Sequence, residues 1–303
     1  MKSVRNKTID FSLEQSKKYL DRCVKPEDLT NNKTSVTVMG DFFSAVKNVM
    51  DKSVDLLIVD PPYNLNKNFH GLNFKETDTE NYLVYTKKWI EAVKPKLKDT
   101  ASIYVCCDWK TAIPLGIELE KHFIIRNRIT WEREKGRGAK DNWKNSMEDI
   151  FYCTMSDKFT FNLDDVKQRK RVLAPYREAG KPKDWKETKD GKYRDTCPSN
   201  FWGDISIPYW SMAENTAHPT QKPEKLIAKL ILASSNKNDL VLDIFAGSGT
   251  TGVVAKKLKR RFINIEQNPL YCAWGEYRLE LAETDKTSQG YEDGIFYERN
   301  SQR

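Results

Sequence analysis

Asp60-Pro61-Pro62-Tyr63 is the stretch of the sequence whose residue types and order best suit a chemical task. It follows the apolar run at 54–59, which predicts a buried strand that ends at Asp60. Two successive prolines lack amide hydrogens and restrict φ, so the Asp60 carboxylate and the Pro61 carbonyl become stiff acceptors beside an aromatic ring. Such a tip suits the amino group of a flat base. Taken alone, the tetrapeptide also fits a strand that ends in an ordinary Pro-Pro turn.

Two later segments carry further signals. His218-Pro219-Thr220-Gln221-Lys222-Pro223 precedes a helical apolar stripe, and Asp243-Ile244-Phe245-Ala246-Gly247-Ser248-Gly249-Thr250 follows an apolar run. The glycines let the backbone approach a ligand, a helix beginning near Thr250 offers its positive end, and Glu266 follows a predicted strand at 262–265. A carboxylate there can accept both hydroxyls of a ribose. Residues 247–252 also fit the G-x-G-x-x-G pattern, so the loop alone does not separate nicotinamide from S-adenosylmethionine.

In this order, the three motifs resemble those of the β class of S-adenosylmethionine-dependent DNA amino-methyltransferases, which belong to bacterial restriction-modification systems. The similarity covers about residues 36 to 284, and three motifs in order are far more specific than one. It implies an α/β, circularly permuted Rossmann-like methyltransferase fold, with a mostly parallel seven-stranded sheet, helices on both faces and an inserted target-recognition lobe. The implied division is an N-terminal appendage at 1–34, a catalytic half at 35–156, a target-recognition region at 157–217, and a cofactor-binding half with a C-terminal tail at 218–303.

The resemblance also implies roles for individual residues. Asp60, Pro61, Pro62 and Tyr63 would be catalytic, because an adenine rotated out of the duplex would donate its amino hydrogens to the tip and stack on the Tyr63 ring. The implied cofactor is S-adenosylmethionine, held by Asp41, Thr220, Lys222, Asp243, Phe245, Ala246, Gly247, Ser248, Gly249, Thr250 and Glu266. The sequence has no Pro-Cys dipeptide of the kind that cytosine C5 methylation requires.

The identity of the target base also follows from the resemblance. DPPY occurs mainly in adenine enzymes, whereas N4-cytosine enzymes more often carry Ser in place of Asp. We therefore predict adenine N6, with N4 of cytosine as the alternative. One departure concerns Asn145-Ser146-Met147-Glu148-Asp149, where many relatives have a His-Glu pair; Met147 replaces the His, and Glu148 stays in register.

Positive charge is concentrated in one part of the chain. The formal net charge is +8, and the stretch from Lys167 to Asp195 has eleven Lys or Arg residues against five Asp or Glu residues. Such a stretch suits contact with phosphates, although a solvated loop is the plainer alternative. The candidate DNA-binding residues are Arg137, Lys140, Lys167, Arg169, Lys170 and Arg171. Double-stranded DNA is the implied partner, while a cognate endonuclease and a homodimer stay open.

Composition narrows the class of protein further. With 303 residues and 39% hydrophobic content, the chain can bury one large core. Its apolar runs are too short to span a bilayer, and Lys2, Arg5 and Lys7 precede no apolar signal segment. The six cysteines form no C-x-x-C pair and the three histidines do not cluster, so no zinc site is indicated. We expect a cytoplasmic protein with no membrane partner and no metal.

Hydrophobic periodicity places the motifs on elements. It predicts strands at 36–38, 102–107, 124–131, 149–154 and 240–245, mixed helical spacing at 82–93, and a helix with Pro223 at its first position. Residues before about 34 look peripheral, and 157–217 reads as an irregular lobe. Two other classes stay open: a Rossmann oxidoreductase, which leaves Asp60 to Tyr63 unexplained, and a methyltransferase-like binding protein without activity.

Overall fold

The computed structural model describes residues 3–64, 67–69, 72–74, 76–133, 140–173, 175–189, 191–288, 290–292 and 294–297. The strands, in chain order, are β1 Val36–Met39, β2 Val54–Val59, β3 Lys67–Phe69, β4 Leu72–Phe74, β5 Leu97–Cys107, β6 Ile124–Glu132, β7 Met147–Thr154, β8 Gln168–Arg171, β9 Arg177–Glu178, β10 Lys181–Pro182, β11 Lys186–Thr188, β12 Gly191–Thr196, β13 Phe201–Trp202, β14 Leu240–Asp243, β15 Arg261–Glu266, β16 Tyr291–Glu292 and β17 Ile295–Tyr297. The α-helices are α1 Lys17–Leu20, α2 Phe42–Ala45, α3 Thr79–Val93, α4 Trp109–Glu120, α5 Glu224–Ser234, α6 Thr250–Lys257 and α7 Pro269–Leu281. Short 3₁₀ helices occupy Leu13–Ser16, Pro26–Asp28, Val46–Asn48, Lys94–Lys96 and Leu163–Val166.

The main sheet has eight strands in the order β1-β15-β14-β2-β5-β7-β6-β13. All neighbouring pairs are parallel except β5 with β7 and β6 with β7. The prediction of a mostly parallel sheet is therefore confirmed, with β7 reversed. The predicted number of seven strands is short by one, because Phe201 and Trp202 add the short parallel strand β13 beside Thr130 and Trp131.

In this sheet the C-terminal strands β15 and β14 lie side by side between the N-terminal strands β1 and β2. β1 pairs with β15, and β14 pairs with β2 on its other side. The strand that precedes Asp60 thus lies beside the strand that ends at Asp243, although 183 positions separate the two acids in the chain. Strands that are remote in sequence and adjacent in space are what a circular permutation of a doubly wound fold requires, and the permutation is confirmed.

Helices cover both faces of the main sheet. On one face α2, α3 and α4 pack over a core that contains Trp89 and Leu115, and on the other α5, α6 and α7 pack over a core that contains Leu226 and Val254. Asp78 and Asp108 begin α3 and α4 by accepting from amides three residues on. In the described part of the chain no helix is long and apolar enough to cross a membrane.

A second, five-stranded sheet has the order β11-β12-β8-β17-β16. Three of its strands come from 168–196, so the prediction of an irregular lobe at 157–217 is wrong for this part. Its other two strands come from 291–297, and Phe296 of β17 lies opposite Gln168 of β8. Side chains in β8 and β12 are mostly polar or charged, which hides the alternation that would predict strands.

The segment before residue 34 is better packed than the sequence predicts. Val24 pairs with Val38 at the edge of β1, and Ile9 pairs with Thr216. Ile9 and Leu29 are buried. A smaller difference concerns Pro223, which caps α5 with ψ of 143° rather than filling its first turn.

We expect Phe296→Ala to lower the free energy of unfolding by about 3–5 kcal/mol, because the ring is fully buried in the core between the two sheets. Urea unfolding followed by fluorescence measures this change. Phe201→Ala is the matched control, since its ring is 60% exposed, and it should stay within about 0.5 kcal/mol. An equal loss in both variants would contradict a structural role for the C-terminal strand.

Candidate active site

The predicted motifs meet at one edge of the main sheet. Asp60 follows β2, Asp243 ends β14, Glu266 ends β15, and Asp41 follows β1 after one glycine. These four strands are adjacent and parallel, so their carboxyl ends lie side by side. Met39 is opposite Glu266, and Ile58 is opposite Asp243.

A cavity of about 320 Å³ opens at this edge. Its lining includes the four residues of the Asp60–Tyr63 tip and ten of the eleven predicted cofactor residues: Asp41, Thr220, Lys222, Asp243, Phe245, Ala246, Gly247, Ser248, Thr250 and Glu266. The two groups of residues predicted from distant motifs therefore share one space. Phe43, Tyr85, His218 and Tyr271 complete its aromatic walls.

Lys222 links the two motifs directly. Its Nζ lies 2.6 Å from Oδ2 of Asp60, 3.2 Å from Oε2 of Glu148 and 3.3 Å from the Tyr63 hydroxyl. Burial alone would lower the pKa of this ammonium, but Asp60 and Glu148 outweigh that effect and raise the pKa. Lys222 is therefore charged. Its assignment to the cofactor stays a prediction, and the contacts in the structure join it to the Asp60–Tyr63 tip.

Tyr63 is fixed by its hydroxyl as well as by its ring. The hydroxyl donates to Oδ1 of Asp60 at 2.9 Å and lies 3.2 Å from Oε2 of Glu148. Burial, followed by the two neighbouring carboxylates, raises the pKa of Tyr63 well above its ordinary value. The phenol thus keeps its hydrogen and orients Asp60.

Glu148 is a buried carboxylate held by two cations. Arg133 contacts its Oε1 at 2.5 Å, and Lys222 contacts its Oε2. Burial would raise the pKa of Glu148, but the Lys222 and Arg133 charges prevail and the pKa is lowered. Strand pairing fixes this geometry, since Trp131 lies opposite Glu148 in the β6–β7 ladder.

The other end of the cavity carries two acids: Asp243, which is buried, and Glu266, which is half-buried. Burial raises the pKa of Asp243 to about 7, although its oxygens accept from the Thr251 hydroxyl and the Phe245 amide. Burial likewise raises the pKa of Glu266 to about 7, although its oxygens accept from the Gly247 and Asn268 amides. When the pKa of an acid is raised in this way, a ligand that is cationic or rich in hydrogen-bond donors stabilises its ionised form.

The two glycines of the loop at 247–249 have different surroundings. Gly247 adopts φ of +51° and faces the cavity, where an added Cβ would lie 3.0 Å from Nε2 of His218. Gly249 adopts φ of +75° and lies against α7, where a Cβ would be 3.0 Å from the Cα of Gly275. The structure therefore places Gly247 toward a ligand, and it places Gly249, a predicted cofactor residue, in helix packing.

Asp41 and Thr220 lie at the cavity with local roles of their own. Asp41 caps α2 through Oδ2, which accepts from the amide and hydroxyl of Ser44. The Thr220 amide donates to Nδ1 of His218 at 3.3 Å. Both contacts stabilise the cavity wall, and contact with a cofactor stays a prediction for each residue.

The candidate DNA-binding residues that the structure describes do not line this cavity, and two of them form ion pairs. Arg169 forms a two-pronged contact with Asp195 at 2.8 and 2.9 Å, and Lys167 contacts Asp164 at 2.6 Å. Lys140 and Arg171 are exposed, and Lys170 is half-buried in β8. Arg137 lies outside the described residues. Their contact with DNA stays a prediction.

Sequence reasoning gave no role to Glu148 and Arg133. The available signal was the acidic pair Glu148 and Asp149 at the start of an otherwise apolar strand, because buried acids require partners. The partner Arg133 could not be identified from spacing, since it is set by the antiparallel pairing of β6 with β7.

Comparison with known proteins identifies the family. The family model described as DNA methylase (N6_N4_Mtase) matches residues 54–276. The chain belongs to this DNA methylase family. It is 34% identical over 258 residues to the DNA adenine methyltransferase YhdJ of Escherichia coli K12, covering 83% of this chain and 84% of the relative. It is 34% identical over 261 residues to the type II methyltransferase M1.MboII of Moraxella bovis, covering 80% of this chain and 94% of the relative.

Solved structures agree on the fold of this DNA methylase. PvuII DNA methyltransferase, titled cytosine-N4-specific, aligns with a TM-score of 0.60 at 19% identity over 82% of this chain and 88% of its own. The complex of M1.HpyAVI with SAM aligns with a TM-score of 0.51 at 21% identity over 80% of this chain and 98% of its own. The resemblance to the methyltransferase family is confirmed, and the oxidoreductase interpretation is set aside.

We expect Lys222→Met to destabilise the DNA methylase by about 3–5 kcal/mol near pH 8, because it leaves the buried Glu148 and its neighbour Asp60 without their shared cation. The loss should be smaller at pH 5. Without Lys222, only Arg133 still opposes the effect of burial on the pKa of Glu148. Glu148 then binds a proton more readily at pH 5, which removes its repulsion of Asp60. Urea unfolding at both pH values measures the difference.

Lys47→Met is the control for this measurement, since Lys47 is exposed. Its effect should be within about 0.5 kcal/mol at either pH. A cost for Lys222→Met that does not change between pH 5 and pH 8 would contradict the proposed charge balance around Glu148.

Proposed function

We propose that this DNA methylase is a site-specific adenine methyltransferase, which moves a methyl group from S-adenosylmethionine to the exocyclic N6 of adenine in double-stranded DNA. One observation carries the proposal: the Asp60–Tyr63 tip and the glycine loop open into the same cavity. A methyl donor and an acceptor amine can therefore meet without an intermediate carrier.

The cavity suits S-adenosylmethionine by the chemistry of its walls. Glu266 and Asp243 offer carboxylate oxygens to hydroxyl and ammonium donors, and Phe43 and Tyr85 offer apolar faces to a base. A ligand with net positive charge would also favour ionisation of both acids, each with a pKa of about 7. When bound, S-adenosylmethionine supplies an electrophilic methyl group on a sulfonium, so that a carbon–nitrogen bond forms as the carbon–sulfur bond breaks.

The residues at the tip prepare the amine. The adenine amino lone pair is conjugated with the ring, and acceptors that draw its hydrogens out of plane make the nitrogen more nucleophilic. Asp60 and the Pro61 carbonyl are those acceptors, and Pro61 contributes no competing amide hydrogen. The Asp60 carboxylate stabilises the charge that develops on the nitrogen and receives the proton that the amine loses.

The choice of adenine over cytosine rests on Asp60, because N4-cytosine enzymes more often carry Ser at this position, and on similarity to an adenine-specific relative. The alternative, N4 of cytosine, would use the same cavity and the same cofactor. YhdJ, whose name specifies adenine, is 34% identical to this chain, whereas the cytosine-specific PvuII enzyme is 19% identical and supports the fold alone. We therefore favour adenine N6.

DNA must present its base to the cavity from outside the duplex, at an unstacking cost of a few kcal/mol. We propose that Lys140, Lys170 and Arg171 contact phosphates, together with Arg137, Lys167 and Arg169. The contacts that Lys167 and Arg169 make with Asp164 and Asp195 would then open on binding.

The remaining predictions are kept as proposals. One of them is the division of the chain into four regions, at 1–34, 35–156, 157–217 and 218–303. The tail at 291–297 shares a sheet with 168–196, which links the last two regions. A cognate endonuclease, a homodimer and a cytoplasmic location are others. The type II methyltransferases among the relatives are consistent with a restriction-modification system.

Methyl transfer from labelled S-adenosylmethionine to duplex genomic DNA tests the function. Nucleosides released from the product and separated by mass should contain N6-methyladenine, and Asp60→Ala should reduce the rate by at least about 100-fold. N4-methylcytosine would establish the alternative, and label in RNA or protein but not in DNA would overturn the substrate class. Glu120→Ala, at an exposed acid on α4, is the control and should retain the full rate.

The affinity for S-adenosylmethionine should fall as the pH drops below about 7, because Asp243 and Glu266 must ionise to accept from the ligand. For each carboxyl that must lose a proton, the decrease approaches about tenfold per pH unit. Calorimetric titration at pH 6, 7 and 8 in phosphate and in Tris measures both affinity and proton release. Asp243→Asn should flatten the profile, and an affinity that is constant from pH 6 to 8 in the unmodified protein would contradict this role.

A further inference from the structure

Both carboxylate oxygens of Asp60 are already engaged by the chain itself. Oδ1 accepts from the Tyr63 hydroxyl at 2.9 Å, and Oδ2 accepts from the Lys222 ammonium at 2.6 Å. The target amine needs one of these oxygens as its acceptor, and an oxygen that already accepts from another donor is the weaker acceptor, although each oxygen has two lone pairs. The Lys222 contact is a charge-assisted bond that is nearly buried, so it is the more costly of the two to break. The hydrogen bond from the Tyr63 hydroxyl is therefore the one that breaks more easily.

A second acceptor for the Tyr63 hydroxyl lies within reach. Oε2 of Glu148 is 3.2 Å from the phenolic oxygen. A phenol has one hydrogen, so it donates to one carboxylate at a time. Rotation about its C–O bond moves that hydrogen from Asp60 to Glu148 and leaves the ring where it is. The ring can then serve a base while its hydroxyl changes partner.

Glu148 is built to be this second acceptor. It is almost fully buried, it is ionised through its contacts with Arg133 and Lys222, and the β6–β7 ladder holds it in place. Asp60 and Glu148 also share Lys222, so the two carboxylates compete for the same hydroxyl around a common cation. Small changes at Asp60, such as the arrival of an amine, can therefore redirect the hydrogen.

We propose that Glu148 is a positioning residue for the transfer reaction: it takes over the Tyr63 hydroxyl when a base enters, so that Oδ1 of Asp60 is free to accept from the target amine. Arg133 supports it by neutralising its outer oxygen. This inference rests on the proposed function and gives the Tyr63 hydroxyl a task separate from that of the ring. Without Glu148, the hydroxyl stays on Asp60 and weakens that oxygen as an acceptor for the amine.

A comparison of three variants tests the exchange on the full-length protein, with genomic duplex DNA and S-adenosylmethionine as the probes. Glu148→Gln keeps the size of the side chain, but its neutral amide oxygen competes less well than ionised Asp60 for the hydroxyl. We therefore expect kcat to fall about 10- to 100-fold, while KM for DNA and the cofactor affinity change less than threefold. Tyr63→Phe keeps the ring and removes the hydroxyl that orients Asp60, so kcat should fall, but by less than in Glu148→Gln. The double variant should recover to about the kcat of Tyr63→Phe alone, and so be faster than Glu148→Gln.

The rescue by Tyr63→Phe separates this role from a purely structural one. If Glu148 only neutralised Lys222, removal of the hydroxyl would add to the damage or leave it unchanged. A double variant no faster than Glu148→Gln, or a Glu148→Gln variant as active as the unmodified protein, overturns the inference. Glu132→Gln is the matched control, because Glu132 is an exposed acid in the same ladder, and it should leave kcat and KM unchanged.

A second route covers the case in which Glu148→Gln does not fold, as judged by thermal unfolding. Arg133→Gln weakens the same carboxylate from its outer side; kcat should fall several-fold, and Tyr63→Phe should again restore it. No restoration overturns the inference. The two proposals fail in different ways. If the unmodified protein transfers no methyl group to DNA, the proposed function is wrong. If it is active but Tyr63→Phe gives no rescue, only the proposed role of Glu148 is wrong.

Discussion

The ammonium of Lys222 is the interaction on which the rest of the site depends. It lies between two carboxylates from strands β2 and β7, and all three groups are largely withdrawn from water. Two acids that share one cation would repel each other without it, so the orientation of Asp60 depends on Lys222 and the ionisation of Glu148 depends on Lys222 together with Arg133. The motif that carries Lys222 is thus an electrostatic part of the Asp60–Tyr63 tip, although 162 positions separate Lys222 from Asp60.

The sheet makes this arrangement available. A parallel sheet brings the carboxyl ends of its strands to one edge, whatever the order in which the chain forms them. Circular permutation changes which strands come first and leaves the edge intact, so β2 and β14 still deliver their acids to adjacent positions. The reversed strand β7 adds Glu148 near its amino end, because an antiparallel strand begins at the edge where its neighbours finish.

Much of this could be read from the sequence, and the exceptions have physical causes. Apolar runs that end in an acid or a glycine loop located β2, β14 and β15, since buried strands are continuous in hydrophobicity. The sheet of β8 and β12 was missed because its strands are polar on most positions and pair with a distant tail. Gly249 could not be told from Gly247, since both adopt positive φ and only the approach of α7 distinguishes them. The partners of Glu148 depend on strand register, which spacing does not encode.

The hairpin of β16 and β17 closes the small sheet beside β8, so strands from 168–196 and from 291–297 depend on each other for pairing. A recombination event that exchanged only residues 157–217 between two such enzymes would pair a foreign β8 with a resident β17. An unmatched edge of this kind exposes unpaired amides and invites aggregation. Functional chimaeras, natural or engineered, must therefore carry two non-contiguous pieces of polypeptide, so the lobe and the tail should co-evolve as one heritable module.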